Sequence, residues 1–275
     1  MNKNAVGGKV AIHTLLILGS VTMLMPFVWM ILTSLKSLSE SMAVPPTFII
    51  RDVQWINYSD VINKLPFVSF YVNTLLMILF RVLFAVIFSS MAAYAFARIK
   101  FPGNNFFFML VLIQMMMPSQ IFIIPQYLIV SKLNLLNTVS ALVVPGVVSA
   151  FGTFLLRQFF LGLPTELEEA GILDGCNRWK LFTKIMLPLA KSGCVSLGIF
   201  TALFAYKDLL WPLIVNMDIT KMPLSAGLAS LQGQYLTNYP QLMAGAMIAI
   251  WPMLIIFLVF QKQFIQGIAT TGSKN

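Results

Sequence analysis

Six stretches of twenty or more mostly apolar residues, separated by short polar segments, dictate what this chain is able to become. A helix needs about 20 apolar residues to cross the ~30 Å hydrocarbon core of a bilayer. Residues 11–33, 71–97, 106–130, 138–160, 193–215 and 241–262 each meet that length. Backbone N–H and C=O groups find no water in that core, so each crossing is expected to be helical. The fold class that follows is an all-α integral membrane protein with six transmembrane helices, built as a single domain over 1–275. Residues 162–190 form its longest inner polar loop.

Charge content supports the same conclusion. Only 10% of residues are charged, against roughly 25% in a soluble domain. That is too few to cover a water-facing surface, so the bilayer must act as solvent. Lys3 and Lys9 precede the first apolar stretch, as they would in a secretory signal. The stretch is too long for one, and Met25-Pro26-Phe27-Val28-Trp29 offers no small-residue cleavage site, so a retained helix is expected.

A net charge of +9 raises the question of nucleic acid. The basic residues are instead scattered through short loops, the pattern that sets membrane orientation. With the N-terminus inside, the inner set is Lys3, Lys9, Arg98, Lys100, Arg157, Arg178, Lys180, Lys184, Lys191, Lys262 and Lys274. The outer set is Lys36, Arg51, Lys64, Lys132 and Lys221. Eleven against five places both termini and the 162–190 loop in the cytoplasm, with no nucleic-acid partner expected.

Catalytic and metal chemistry have little to build on. Cys176 and Cys194 lie in or near the charged loop and suit neither a disulfide framework nor a metal site. His13, the single histidine, sits within an apolar run. No G-x-x-x-x-G-K-[ST] phosphate loop is present, and Gly7-Gly8-Lys9 is too short to serve as one. No cofactor is expected in this chain, and any ATP and Mg must be bound elsewhere.

Ionisable groups inside spans are costly and usually face the interior or a water-filled path. Arg81 falls mid-span in the second segment, and Lys207-Asp208 mid-span in the fifth. Adjacent helical residues point about 100° apart, so Lys207 and Asp208 are not expected to pair with each other. The plain alternative is neutralisation by a charge elsewhere. Pro118, Pro125, Pro145, Pro212 and Pro252 interrupt apolar runs and are expected to bend helices around a path.

The inner loop carries a different signal. After Pro164, Thr165 is placed to cap a helix, with Glu168 three residues on to complete a capping box. Glu166, Glu168 and Glu169 fall in the first turn, at the positive end of the helix dipole. Leu167, Ala170, Gly171 and Asp174 share a face, and Gly175 is placed to stop the helix in a left-handed cap. A second short helix is expected, with Trp179, Phe182, Ile185 and Met186 as its apolar stripe and Pro188 at its end. A solvated surface loop is the bland account. The order of cap, small face, glycine stop and Leu187-Pro188 exit favours a docking element instead.

Glu169-Ala170-Gly171, Asp174-Gly175 and Ile185-x-Leu187-Pro188 resemble the EAA loop of ATP-binding-cassette importer permeases, with Gly171 in place of the third alanine. The likeness covers almost the whole chain and is to the carbohydrate-uptake, MalG-like branch. It includes Asn57-Tyr58, Asn73-Thr74, the run from Ala92 to Arg98, Met117-Pro118, Ile124-Pro125, the run from Leu155 to Phe160, and the tail from Phe260 to Gly267.

The resemblance implies a type I ABC importer permease fold with a cytoplasmic EAA coupling helix. It also implies a second permease subunit, an ATPase dimer, an extracytoplasmic sugar-binding protein and residence in the bacterial inner (plasma) membrane. The coupling residues would be Glu166, Glu169, Ala170, Gly171, Asp174 and Gly175. Residues 223–233 would reach toward the binding protein and 267–275 toward the ATPase. Arg81, Tyr206, Lys207, Asp208 and Trp211 are the candidate translocation path, with two cations suited to an acidic sugar and two rings able to stack on sugars. The family more often has Trp-Asn near Tyr206-Lys207, which sets those positions apart. The main alternative is a self-sufficient secondary transporter or channel, which would usually show repeated halves and several intramembrane acids. This chain has one such acid, Asp208, and no half repeat. A structural membrane scaffold would need no small-faced cytoplasmic helix.

Overall fold

The computed structural model describes residues 3–233 and 236–272, with 3–11 and 262–272 described as backbone only. The last three residues of the expected ATPase-facing tail therefore lie outside the described residues. All regular structure among the described residues is helical. Three helices are long and apolar enough to cross a membrane: Ile12–Ser34, Phe67–Arg98 and Tyr239–Gln261. Three further bent pairs meet the same test, giving up to six crossings if each pair counts as one.

Bends interrupt the middle segments, as the prolines led one to expect. In the third, Asn104–Met116 meets Ser119–Lys132 at 103°. Met117 takes an extended backbone (φ −82°, ψ 135°), the conformation that a following proline forces on its neighbour. In the fourth, Val139–Gly146 meets Ala150–Leu161 at 47°. The chain winds tightly through Pro145, then restarts where the Ser149 hydroxyl accepts from the Gly152 N–H at 2.9 Å. In the last pair, Arg178–Leu189 meets Lys191–Lys207 at 74°; the helix then stops at Lys207, Asp208 is extended (φ −66°, ψ 111°) and a new helix, Leu210–Val215, follows. Lys207 and Asp208 thus sit at a helix end rather than mid-span, because Pro212 cannot supply the N–H that would continue the helix across Asp208.

Two compact units divide the chain. The first comprises 1–65 and 228–251. In it the helix Ile56–Lys64 packs on Tyr239–Ala249. Gln241 bridges the two by accepting from Lys64 Nζ and donating to Asp60, both at 2.9 Å. Asn57 Nδ2 donates to the carbonyls of Ser34 and Lys36, each at 2.9 Å, and Tyr58 shares a 2.8 Å hydrogen bond with the Ser34 hydroxyl. The sequence pair Asn57-Tyr58 therefore ties the segment after the first long helix back to that helix's end.

The second unit, 66–227 and 252–275, holds everything relevant to the candidate path. Phe67–Arg98 packs on Ala150–Leu161 and on Lys191–Lys207. Between apolar helices in lipid, attraction comes from close packing rather than from exclusion of water, so small residues line such crossings. At this one, a Cβ added to Gly152 would lie 2.6 Å from Ser89 Oγ and 2.9 Å from the Leu197 methyls. Gly152→Leu is expected to cost about 1–3 kcal/mol through overpacking. The check is a lowered unfolding midpoint of the purified protein, and an unchanged midpoint would refute the close crossing.

Candidate functional site

Two features of the second unit are candidates, an open cavity beside the helix breaks and the polar helix of the inner loop. The cavity has a volume of about 680 Å³ and is walled by the third-span break, the Pro145–Gly146 turn, Phe204 and residues 207–211. Arg81 enters it from Phe67–Arg98, a helix otherwise rich in Leu, Ile and Phe. Its guanidinium is held in two directions. Nε donates to the Leu142 carbonyl at 2.7 Å, and Nη1 lies 2.9 Å from Asp208 Oδ2. Gly146 makes room for this, since a Cβ there would come within 3.1 Å of Arg81 Cδ.

The breaks explain why those acceptors are available. Pro145 has no N–H, so the Ala141 carbonyl four residues earlier loses its helical donor. Trp211 Nε1 supplies the bond instead, at 2.9 Å. Pro212 leaves the Asp208 carbonyl without a donor in the same way, and the Ser225 hydroxyl donates to it at 2.6 Å. A buried carbonyl without a partner is costly in an apolar medium, so these side chains hold the bent backbone together.

Of the five candidate path residues, the structure brings Arg81, Lys207, Asp208 and Trp211 to the cavity wall. Tyr206 is not among the lining residues; it packs, half-buried, against the core formed by Met77, Ile78, Ala202 and Trp211. Trp211 is itself buried with its N–H engaged, so stacking of either ring on a sugar finds no support. For Asp208 the plain alternative, neutralisation by a charge elsewhere, is what the structure shows. Arg81 is neutralised by Asp208, 127 positions away in sequence, and Lys207, exposed at the wall, is the cation without an acidic partner among the described residues. Sequence reasoning missed Gln114, Ser119, Gln120 and Gln126, which also line the cavity. Amides flanking Pro118 and Pro125 within an apolar run were the available signal.

The inner loop forms the expected helix, Glu166–Leu173, with all three glutamates in its first turn. Its stop is as anticipated. Gly175 is left-handed (φ 79°), its N–H donates to Ile172 O at 3.0 Å, and Cys176 N–H donates to Gly171 O at 2.9 Å. This is the paired closure of a left-handed glycine cap. Its start differs from expectation. Thr165 is already helical (φ −72°, ψ −28°) and its hydroxyl caps nothing. Glu168 does not close a capping box either; it turns toward Arg98, 3.5 Å away.

The small face is also divided. Gly171 is buried, and a Cβ there would lie 2.5 Å from Leu181 and 2.8 Å from Ile185. Glu166, Glu169, Ala170 and Asp174 are exposed. In the next segment, Phe182 and Met186 are buried as expected, together with Leu181, while Trp179 is 59% exposed. Wider winding over Leu181–Met186 accounts for the added inward residue.

On the other side, Asn73 Nδ2 donates to the Thr220 and Met222 carbonyls at 2.9 and 3.0 Å, and the Thr74 hydroxyl accepts from Leu224 N–H at 2.8 Å. These bonds bury the start of the 223–233 segment, and Gly227 packs against the Phe70 ring. Asp218, just before it, accepts from the Thr220 N–H and hydroxyl, which hold its carboxyl below the usual carboxylate range.

Comparison with known proteins gives a consistent result. The sequence model of the binding-protein-dependent transport system inner membrane component family matches residues 85–270. The arabinooligosaccharides transport system permease protein AraQ of Bacillus subtilis is 34% identical over 269 residues, 97% of this chain and 96% of that protein. Its counterpart in Halalkalibacterium halodurans is 41% identical over 193 residues, 70% of this chain and 69% of that protein. The sn-glycerol-3-phosphate transport system permease protein UgpE of Salmonella typhi is 31% identical over 277 residues, 98% of each. A crystal structure of a bacterial ABC transporter involved in the import of the acidic polysaccharide alginate contains a chain with the same fold. Its TM-score is 0.78 at 22% identity, over 95% of this chain and 98% of that one.

Removing one member of the Arg81–Asp208 pair strands a mostly buried charge, with side-chain exposures of 11% and 23%. Asp208→Asn is expected to cost up to about 3–5 kcal/mol, and the double change Arg81→Met with Asp208→Asn less than the two single costs added together. Unfolding of the purified variants measures this. Strict additivity would mean that the pair is not coupled.

Proposed function

The chain belongs to the family of binding-protein-dependent transport system inner membrane components, and on that premise we propose that it is one of two permease subunits of an ATP-driven importer of a sugar or oligosaccharide. Its cargo would be delivered by an extracytoplasmic binding protein, and ATP would be bound and hydrolysed by a separate ATPase dimer, leaving this chain with no cofactor and no covalent chemistry. The whole of 1–275 acts as one permease domain with both termini in the cytoplasm, an orientation supported by the eleven-to-five distribution of basic residues. The sugar class is supported by full-length likeness to a permease named for arabinooligosaccharides.

The observation that carries the coupling reading is the form of the inner-loop helix. One side, Gly171, is packed against Leu181 and Ile185, while Glu166, Glu169, Ala170 and Asp174 are left exposed beyond it. A rod seated on one side and bare on the other suits insertion into a cleft on the ATPase. ATP-driven closure would then favour one arrangement of the membrane helices over another, a population shift rather than a new chemical step. Substrate would pass the cavity walled by Arg81, Lys207 and Asp208, where Lys207 supplies the unneutralised charge.

Glu169→Lys is expected to abolish uptake of a labelled oligosaccharide in a deletion strain while the protein remains in the membrane fraction. Gly175→Val puts a branched side chain in a left-handed position, at a cost of about 1–2 kcal/mol, and uptake should fall roughly tenfold. Normal transport by both variants would remove the case for docking here. Lys207→Met is expected to change the ratio of acidic to neutral sugars taken up across a labelled panel. A change in abundance alone would make Lys207 a structural residue.

A further inference from the structure

The joint between the inner-loop helix and the membrane helices is concentrated on one side chain. Arg98 is the last residue of Phe67–Arg98, and its side chain is only 7% exposed. Nε donates to the Phe160 carbonyl at 3.1 Å, and Nη2 donates to the carbonyls of Phe160 and Leu163. Phe160 stands at the end of Ala150–Leu161, and its carbonyl also accepts from the Leu163 N–H at 3.2 Å. The same guanidinium lies 3.5 Å from Glu168 Oε1 in the next helix. That oxygen is buried and makes no hydrogen bond, so Arg98 is what balances it.

One turn earlier on the same face, the Tyr94 ring lies 5.7 Å from Phe160 and 5.3 Å from Phe182. Tyr94 and Arg98 therefore grip the arms of the inner loop on either side of the Glu166–Leu173 helix. An end cap for Ala150–Leu161 would need only the two carbonyl bonds. A buried ion pair to a third element adds little net stability, because desolvation offsets the attraction. What it adds is a fixed geometry.

We propose that Arg98 is the positioning residue that fastens the Glu166–Leu173 helix to the inner ends of Phe67–Arg98 and Ala150–Leu161, so that a push on that helix moves both as one body. This rests on the coupling reading above. Arginine suits the task because its planar fork offers donors in several directions at once, which the single ammonium of lysine does not.

The test uses the complete transporter reconstituted in proteoliposomes, with Arg98→Gln, Arg98→Lys and Glu168→Gln variants. Substrate uptake, ATP hydrolysis and retention of the ATPase are measured together. Arg98→Gln is expected to keep the ATPase bound and hydrolysing while uptake falls about fivefold or more, the low end of coupling between sites. Arg98→Lys should fall between it and the parent, and Glu168→Gln should lose less. Uptake and hydrolysis falling in proportion, or unchanged uptake in Arg98→Gln, would overturn the proposal. If Arg98→Gln fails to assemble, the two conservative variants decide by the same ratio of uptake to hydrolysis. A cysteine placed at exposed Ala170 and cross-linked to the ATPase separates the readings. No cross-link would sink the coupling helix itself, whereas a cross-link with an unchanged ratio would sink the role of Arg98 alone.

Discussion

Every bend in this membrane protein frees backbone carbonyls in a medium that has no water to satisfy them. That constraint decides where the polar side chains go. Arg81 serves Leu142, Trp211 serves Ala141, and Ser225 serves Asp208. At the inner ends, Arg98 serves Phe160 and Leu163, and Arg157 serves Phe96 at 3.3 Å. These donors come from neighbouring helices, so the breaks at Pro145 and Pro212 are each closed from another element. The cavity of about 680 Å³ lies beside such breaks, which makes it a product of bent helices rather than of an added domain.

The same constraint sorts the intramembrane charges. Arg81 carries a structural bond and a structural counter-charge, so little of its field reaches the cavity. Asp208 is spent on Arg81 through its side chain and on Ser225 through its carbonyl. Lys207 has neither obligation among the described residues. Two cations that look equivalent in sequence therefore differ in availability, and a cavity expected to be doubly positive is closer to singly so. Polarity beyond that charge comes from amides and a hydroxyl, Gln114, Gln120, Gln126 and Ser119, groups suited to the hydroxyls of a sugar.

What was legible in the sequence was what local rules decide. Apolar length located the first, second and last long helices, and Gly175 was readable because a left-handed stop needs glycine. Arg81 and Asp208 stood out because charge in a span needs a reason. Outcomes set by distant partners were not legible. Thr165 and Glu168 satisfied the pattern of a capping box, yet Arg98, seventy positions earlier, claims the glutamate. Tyr206 was adjacent to Lys207 in sequence, but helical rotation turned it into the core. The prolines announced that the third and fifth segments would be interrupted. They did not reveal that the third would turn by 103°, or that the fifth would bend by 74° against Arg178–Leu189 and end at Lys207.

The breaks also differ in stiffness, and the difference follows from who closes them. The fourth-span break is cross-tied, to Phe67–Arg98 through Arg81 and to Leu210–Val215 through Trp211. Moving it would expose two carbonyls and an ion pair at once. The third-span break is closed by local backbone bonds, Met117 N–H to Gln114 O at 3.3 Å and Ile121 N–H to Pro118 O at 3.2 Å. Among the described residues, the nearby Ser119 and Gln120 side chains reach only each other, at 3.5 Å. Local closure survives a change in bend angle where a cross-tie does not. Of the walls around the cavity, the one built from Met117, Ser119 and Gln120 is therefore held less tightly than the Arg81–Asp208–Trp211 side.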